Sequence, residues 1–161
     1  FRSAVHTTVS NEEKAGYARE LGASETILYK GLSVEDYVDQ YAEGKGYDIV
    51  FDTVGGDNLD ASFQAARFGG TVVNIAARST HDLSPMHARS LTLHVVFLVG
   101  QVANPMNRHS IRPRLERLCE MAENGELRPL IDQQQFEFED VADAHAYLES
   151  GEAIGKVVLI R

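Results

Sequence analysis

An open, doubly wound α/β fold with a parallel sheet is what this sequence predicts, and three observations predict it. Strand-like apolar runs alternate with amphipathic helix-like runs, the grammar of βαβ units. The run from Tyr47 to Val54 has the apolar centre Ile49-Val50-Phe51 expected of a buried parallel strand, and it ends in Gly55-Gly56 before Asp57-Asn58 open a helical pattern. With 161 residues, 43% of them hydrophobic and 24% charged, the chain can bury a core and is excluded from the disordered class.

The elements follow in order. Ala4 to Val9 reads as a strand, and Ser10-Asn11-Glu12-Glu13 has the S-x-x-E form of a capping box, opening a helix with Ala15, Ala18 and Leu21 on one face and Gly22 as its stop. Thr26 to Tyr29 is a short strand. Ser33 caps the next helix, whose Val34, Tyr37, Val38 and Tyr41 recur at helical spacing until Gly44 and Gly46. Asp48 to Val54 is the third strand, and the helix after Asp57 turns Leu59, Ser62, Phe63 and Ala66 inward. Gly69-Gly70 then leads into strand Thr71 to Ala77, which makes this the strongest βαβ unit of the chain. A polar crossover with Pro85 reaches strand Leu91 to Val99.

The pattern changes after Gly100. Ser110 starts a long amphipathic helix through Ile111, Leu115, Leu118, Cys119 and Ala122, ended by Asn124-Gly125. Glu126 to Glu139 is extended, Val141 to Leu148 is a helix with Ala144 and Leu148 inward, and Lys156 to Ile160 is a last strand. Two regions are therefore expected, residues 1–100 as a partial ligand-binding domain and residues 101–161 as a C-terminal helix and strand return segment.

Charge and residue usage narrow the function. A net charge of −9 and a pI near 5.1 disfavour nucleic acid or an anionic membrane as partner, because phosphates are repelled without local cations. The single cysteine, Cys119, falls on the apolar side of its helix and cannot build a disulfide framework or a cysteine-rich zinc site, which fits a reducing, cytoplasmic compartment. No secretory signal or membrane-length apolar span is found. His6, His81, His87, His94, His109 and His145 show no metal-binding spacing, no metal site is expected, and no nucleophile elbow or cysteine–histidine pair is evident. Asp52, on a buried strand, is expected to hold backbone donors of the neighbouring turn rather than to catalyse. No residue is assigned a catalytic role.

The double glycine at the carboxyl end of a parallel strand lets a ligand approach the backbone, and open α/β sheets bind ligands along that edge. A nucleotide-sized ligand is implied. No G-x-G-x-x-G occurs, so a principal phosphate loop would lie outside this chain, and a start at Phe1 rather than Met carries the expectation that an upstream part has been removed.

Seven segments in order, Thr7 to Lys14, Glu20 to Ala23, Asp48 to Gly56, Gly69 to Val73, Gly125 to Pro129, Ala142 to His145 and Gly155 to Leu159, resemble the medium-chain dehydrogenase/reductase superfamily. The resemblance is to its NADPH quinone oxidoreductase and zinc-type alcohol dehydrogenase-like branch. It implies a Rossmann-like sheet in which Ala4 to Val9 is the second strand, with the first strand, the glycine-rich loop and the catalytic domain upstream. It further implies hydride transfer from NADPH to a quinone or enone-type carbonyl, a small-molecule substrate, in the full-length parent, with this fragment alone inactive. A zinc-dependent alcohol dehydrogenase of the same superfamily and a non-catalytic nucleotide-binding or interaction protein on the same fold are the alternatives.

On that resemblance, cofactor contacts fall on Ser10, Lys14 and Tyr29 near the adenosine, where no Asp or Glu stands to repel a 2′-phosphate and NADPH is favoured. The alternative is that Ser10 only caps a helix and Lys14 is a solvated charge. Val54, Gly55 and Gly56 would face the adenine-ribose side, and Ile75, Ala76, Ala77 and Arg78 the path toward the nicotinamide, the alternative being an ordinary tight turn and strand end. Phe97, Leu98 and Val99, as the end of the last sheet strand, would meet the carboxamide or be plain core. A strand order of 3-2-1-4-5-6 leaves a gap of about 9–10 Å where the first strand belongs. Direct pairing of Ala4 to Val9 with Asp48 to Val54, or an element of another chain, is expected to close it. The long apolar strand Leu91 to Val99 is an edge that invites pairing, so a homodimer through it is expected, unless the chain's own tail covers it.

Overall fold

The computed structural model describes residues 3–104, 106, 109 and 111–161. The chain divides into two compact units, Phe1–His109 and Ser110–Arg161. In the first, β1 (His6–Val9), α1 (Glu12–Glu20) and β2 (Glu25–Leu28) form one parallel βαβ unit, and α2 (Val34–Ala42) leads to β3 (Tyr47–Asp52). Then α3 (Asp57–Ala65), β4 (Ala66–Asn74), α4 (Ser84–Arg89), β5 (Thr92–Val95) and α5 (Leu98–Ala103) complete the unit, with a parallel sheet of order β3-β4-β5. The mixed α/β class with parallel strands is as predicted.

Local chemistry explains most boundaries. Ser33 closes a full capping box on α2, its Oγ accepting from Asp36 N–H at 3.1 Å while the Asp36 carboxylate accepts from Ser33 N–H at 3.0 Å. At α1 the cap is not Ser10 but Asn11, whose Oδ1 accepts from Lys14 N–H at 2.9 Å. Asn11 holds the extended backbone of an N-cap, so the helix starts one residue later than the S-x-x-E pattern suggests.

The core of the first unit lies where α3 crosses β3 and β4. Leu59, Phe63, Ala66 and Val72 are buried together, with Val50, Ala77, Met86, Leu91 and Leu93 packed around them. Ala66 belongs there as expected, yet as the first residue of β4 rather than the last of α3, with ψ near 140°. Strand β4 thus begins five residues early and absorbs Arg67 to Gly70 in a bulge, since Tyr47 pairs with Ala66 and Ile49 with Thr71. It also stops at Asn74 rather than Ala77.

Two other expectations are corrected. Strand β5 ends at Val95, so Phe97, Leu98 and Val99 do not extend it; Phe97 precedes α5 and Leu98 and Val99 are its first residues. The run is apolar enough for a strand, but once Val96 N–H has donated to Asn74 O at 2.9 Å, β4 supplies no further carbonyl in strand geometry. Nor do β1 and β3 pair: β1-β2 and β3-β4-β5 are separate sheets. His6 and Tyr47, the first residues of the two strands, meet edge-on with ring centroids 5.6 Å apart and His6 Nδ1 3.3 Å from Tyr47 Oη, a side-chain contact with no backbone ladder beside it. On β3, Ile49 and Phe51 are accordingly exposed.

The second unit contains α6 (Ile111–Glu123), β6 (Ile131–Glu137), α7 (Val141–Ser150) and β7 (Lys156–Ile160), with β6 and β7 parallel. The expected helix start at Ser110 lies outside the described residues. Asp132 is buried at the bend of β6 and accepts from Gln134 N–H, Ile154 N–H and the Tyr147 hydroxyl, at 2.7, 2.6 and 3.3 Å. These backbone donors, Gln134 first and Ile154 next, hold its carboxyl below the ordinary aspartate range. Ala144 faces inward as expected; Leu148 and Cys119 are exposed instead, because each helix has a narrower buried stripe than its pattern offers.

Candidate functional site

The carboxyl ends of β3 and β4 are tied together by one buried carboxylate. Asp52 closes β3; its Oδ1 accepts from Val54 N–H, Gly55 N–H and Asn58 Nδ2 at 2.9, 3.0 and 2.8 Å, and its Oδ2 accepts from Asn74 Nδ2 at 2.6 Å. Asn74, fully buried at the end of β4, accepts in turn from Ala76 N–H at 2.7 Å through its Oδ1. Burial pushes the Asp52 pKa up, but the donors of Gly55, Val54, Asn58 and Asn74 outweigh it and leave the carboxyl below its ordinary value. The sequence-based role for Asp52, a holder of turn donors, matches this geometry.

The clamp shapes the edge it supports. Gly55 has φ of 74°, and a Cβ there would run into the carbonyl oxygen of Ala76, so only glycine brings the β3 turn this close to the β4 exit. At Gly56, φ 56°, a Cβ would meet nothing within 4 Å. Val54, Gly56, Ile75 and Arg78 are exposed, and Ala76 and Ala77 half-buried. Gly56, Ala76 and Ala77 thus leave backbone accessible at this edge, flanked by the exposed side chains of Val54, Ile75 and Arg78.

Ser10 and Tyr29 gather at the end of the other sheet, where Tyr29 N–H donates to Val9 O at 3.3 Å. Lys14 lies in the first turn of α1, half-buried, and among the described residues its ammonium makes no ion pair. Phe97, Leu98 and Val99 are all exposed, beside the end of β4 through the Val96–Asn74 hydrogen bond. The predicted residues are thus brought into two groups, Ser10, Lys14 and Tyr29 on one sheet and the rest on the other, with no strand pairing between them. Asn58 and Asn74 were missed by sequence reasoning. Asn58 had a signal in its place just after the double glycine, whereas Asn74, polar in an apolar strand, is legible only once β4 is laid beside β3.

The chain matches the family described as zinc-binding dehydrogenase over residues 21–159. It belongs to that family, within the medium-chain dehydrogenase/reductase superfamily. It is similar to the NADPH-dependent alkenal/one oxidoreductase of Arabidopsis thaliana, 33% identical over 98% of this chain and 33% of that protein. It is also similar to the 2-haloacrylate reductase of a Burkholderia species, 29% identical over 95% of this chain and 46% of that protein. Among solved structures, the quinone oxidoreductase of Pseudomonas syringae superposes with a TM-score of 0.82 at 28% identity, covering 98% of this chain and 49% of its own. The chain spans about half the length of that structure, and only 7% of a highly reducing polyketide synthase from Arthrinium phaeospermum that is 27% identical to it.

The superfamily is one of oxidoreductases, and the Rossmann-like fold expected from the sequence is the fold of these neighbours. Zinc, which the family's description names, does not fit what is present: among the described residues no group of three or more His, Cys, Asp or Glu could hold a metal ion. No helix among them is long and apolar enough to cross a membrane.

Proposed function

We propose that this chain is the cofactor-binding part of an oxidoreductase that reduces quinones or enone-type carbonyl compounds with NADPH. The observation that carries the reading is the end of β1, where Thr8, Val9 and Ser10 stand with no carboxylate among them and Lys14 follows in the first turn of α1, beside Glu12 and Glu13. The NADPH-dependent relative and the quinone oxidoreductase likeness support it. Bound NADPH supplies hydride to an electrophilic carbon. The protein's part is placement: Ser10, Lys14 and Tyr29 receive the adenosine end, Val54, Gly55 and Gly56 pass the ribose over side-chain-free backbone, and Ile75 to Arg78 carry the chain of contacts toward the reacting ring. Phe97, Leu98 and Val99, at the start of α5, present apolar surface for the nicotinamide end. A cytoplasmic location belongs to the same proposal and rests on the single cysteine, Cys119.

Fluorescence titration tests the reading. The full-length oxidoreductase is expected to bind NADPH more tightly than NADH, and Lys14→Ala to weaken NADPH alone by about tenfold, the worth of a charge-assisted contact. The 161-residue chain is expected to bind weakly or not at all, and micromolar binding by it would count against this division of labour. Equal affinity for the two nucleotides in the full-length protein would end the NADPH assignment.

A homodimer formed along β5 belongs to the same proposal, and the shortened strand changes where it acts. Strand β5 is the last in its sheet, and Val95, Val96, Phe97, Leu98 and Val99 form five consecutive apolar residues each at least 40% exposed, an unusual run to leave in water. Light scattering is expected to give twice the chain mass, and Val95→Lys to return the monomer.

A further inference from the structure

Outside that edge and its clamp lies a second cluster. Asp60, in the first turn of α3, accepts or shares a proton with His81 Nδ1 at 2.9 Å, and the other ring nitrogen, Nε2, lies 2.5 Å from Ser79 Oγ. The His81 side chain is 9% exposed, and its ring stands edge-on to Phe63 of the core, centroids 6.4 Å apart at 87°. Ser79, by contrast, is exposed on the connection between β4 and α4. Acid, imidazole and hydroxyl are thus in line, with the ring fixed by the core and the hydroxyl open to solvent.

A loop fastening requires only the Asp60–His81 bond. The third member is what turns a fastening into a relay. With Asp60 accepting from Nδ1–H, Nε2 is the acceptor of the Ser79 hydroxyl proton, the tautomer and orientation that general-base activation of a serine needs. We propose that Ser79 is a histidine-activated nucleophile that accepts acyl or phosphonyl groups from activated esters, an activity independent of any nicotinamide nucleotide. Ser79 Oγ forms a bond to the acyl carbon as its proton passes to His81 Nε2, and the ester C–O bond breaks with that proton leaving on the alcohol. Water then adds to the acyl carbon, gives a proton to Nε2, and the Ser79 ester bond breaks with the proton returning to Oγ. Asp60 holds the imidazolium at each stage. No oxidation or reduction takes place.

The test is labelling of the 161-residue chain with a fluorophosphonate and mapping of the adduct by peptide mass spectrometry. One adduct, on Ser79, is expected in the native chain and none on it in urea. His81→Gln is expected to slow labelling of Ser79 by about a hundredfold or more, the range for loss of a general base. His81 packs on the core, so each variant is first melted; if His81→Gln does not fold, Asp60→Asn, at the half-exposed end of the relay, takes its place with at least a tenfold loss expected. Failure of native Ser79 to label, or labelling at the same rate in the folded variant, overturns the proposal. Because no nucleotide is present, neither outcome bears on the reductase reading.

Discussion

Asp52→Asn is expected to destabilise the first unit by about 3 kcal/mol, the usual penalty for leaving buried donors without an acceptor. The substitution keeps the shape and changes one oxygen to an NH2. Both Asp52 oxygens accept, three donors on Oδ1 and the Asn74 amide on Oδ2, so either orientation of the new amide sets a donor against a donor. Urea denaturation followed by far-UV circular dichroism measures the loss, and a midpoint unchanged from the parent would show that the clamp carries little.

The same residue gives a pH signature. Its folded pKa is depressed, so the carboxylate contributes its full stability above the unfolded value of about 4. That contribution shrinks as pH falls below about 4 and is gone once the folded pKa has been crossed. The parent chain is therefore expected to lose stability between neutral and strongly acidic pH more steeply than Asp52→Asn, the two curves converging at the acid end. Parallel curves across that window would contradict the assignment.

Phe63→Ala is expected to cost about 4 kcal/mol, typical of an aromatic residue removed from a packed core. Phe63 is 0% exposed, sits with Leu59, Ala66 and Val72, and is the ring against which His81 stands. The cavity therefore loosens two things at once, the α3 contact on β3 and β4 and the support of the Ser79 connection. A thermal melt reads the first, and loss of the ring-shifted His81 proton resonances in NMR reads the second. A melt within a few degrees of the parent would mean that the neighbouring side chains collapse into the space.

Much of this architecture is legible residue by residue. The cap at Ser33 and the strand Lys156 to Ile160 are read correctly, and the third strand is placed one residue late and carried two residues too far, Asp48 to Val54 against Tyr47–Asp52. Caps and apolar periods are written in neighbouring residues, whereas strand ends are set by the partner strand. The errors share one cause. Ala66 fits the helical stripe of α3 equally well in either element, and only pairing with Tyr47 across the bulge makes it strand. Val96 to Val99 has strand composition, yet β4 ends before it and leaves no ladder to join. Ser10 and Asn11 are both competent caps, and backbone geometry selects the second.

The candidate site divides along the same line. Amino-acid order alone established the alternation of strands and helices, the side-chain-free turn after Asp52, the absence of a carboxylate at the end of β1 and the family likeness, since all of these are written in neighbouring positions. Folding in three dimensions decided that Asn74 would complete the Asp52 clamp from 22 residues away and that Asp60 would meet His81 across 21. It also decided that His6 and Tyr47 would stand where β1 and β3 were expected to pair. Hydrogen bonds and ring contacts of that kind act over a few ångströms, so they depend on which backbones packing brings side by side, and nearby residues carry no record of the distant partner.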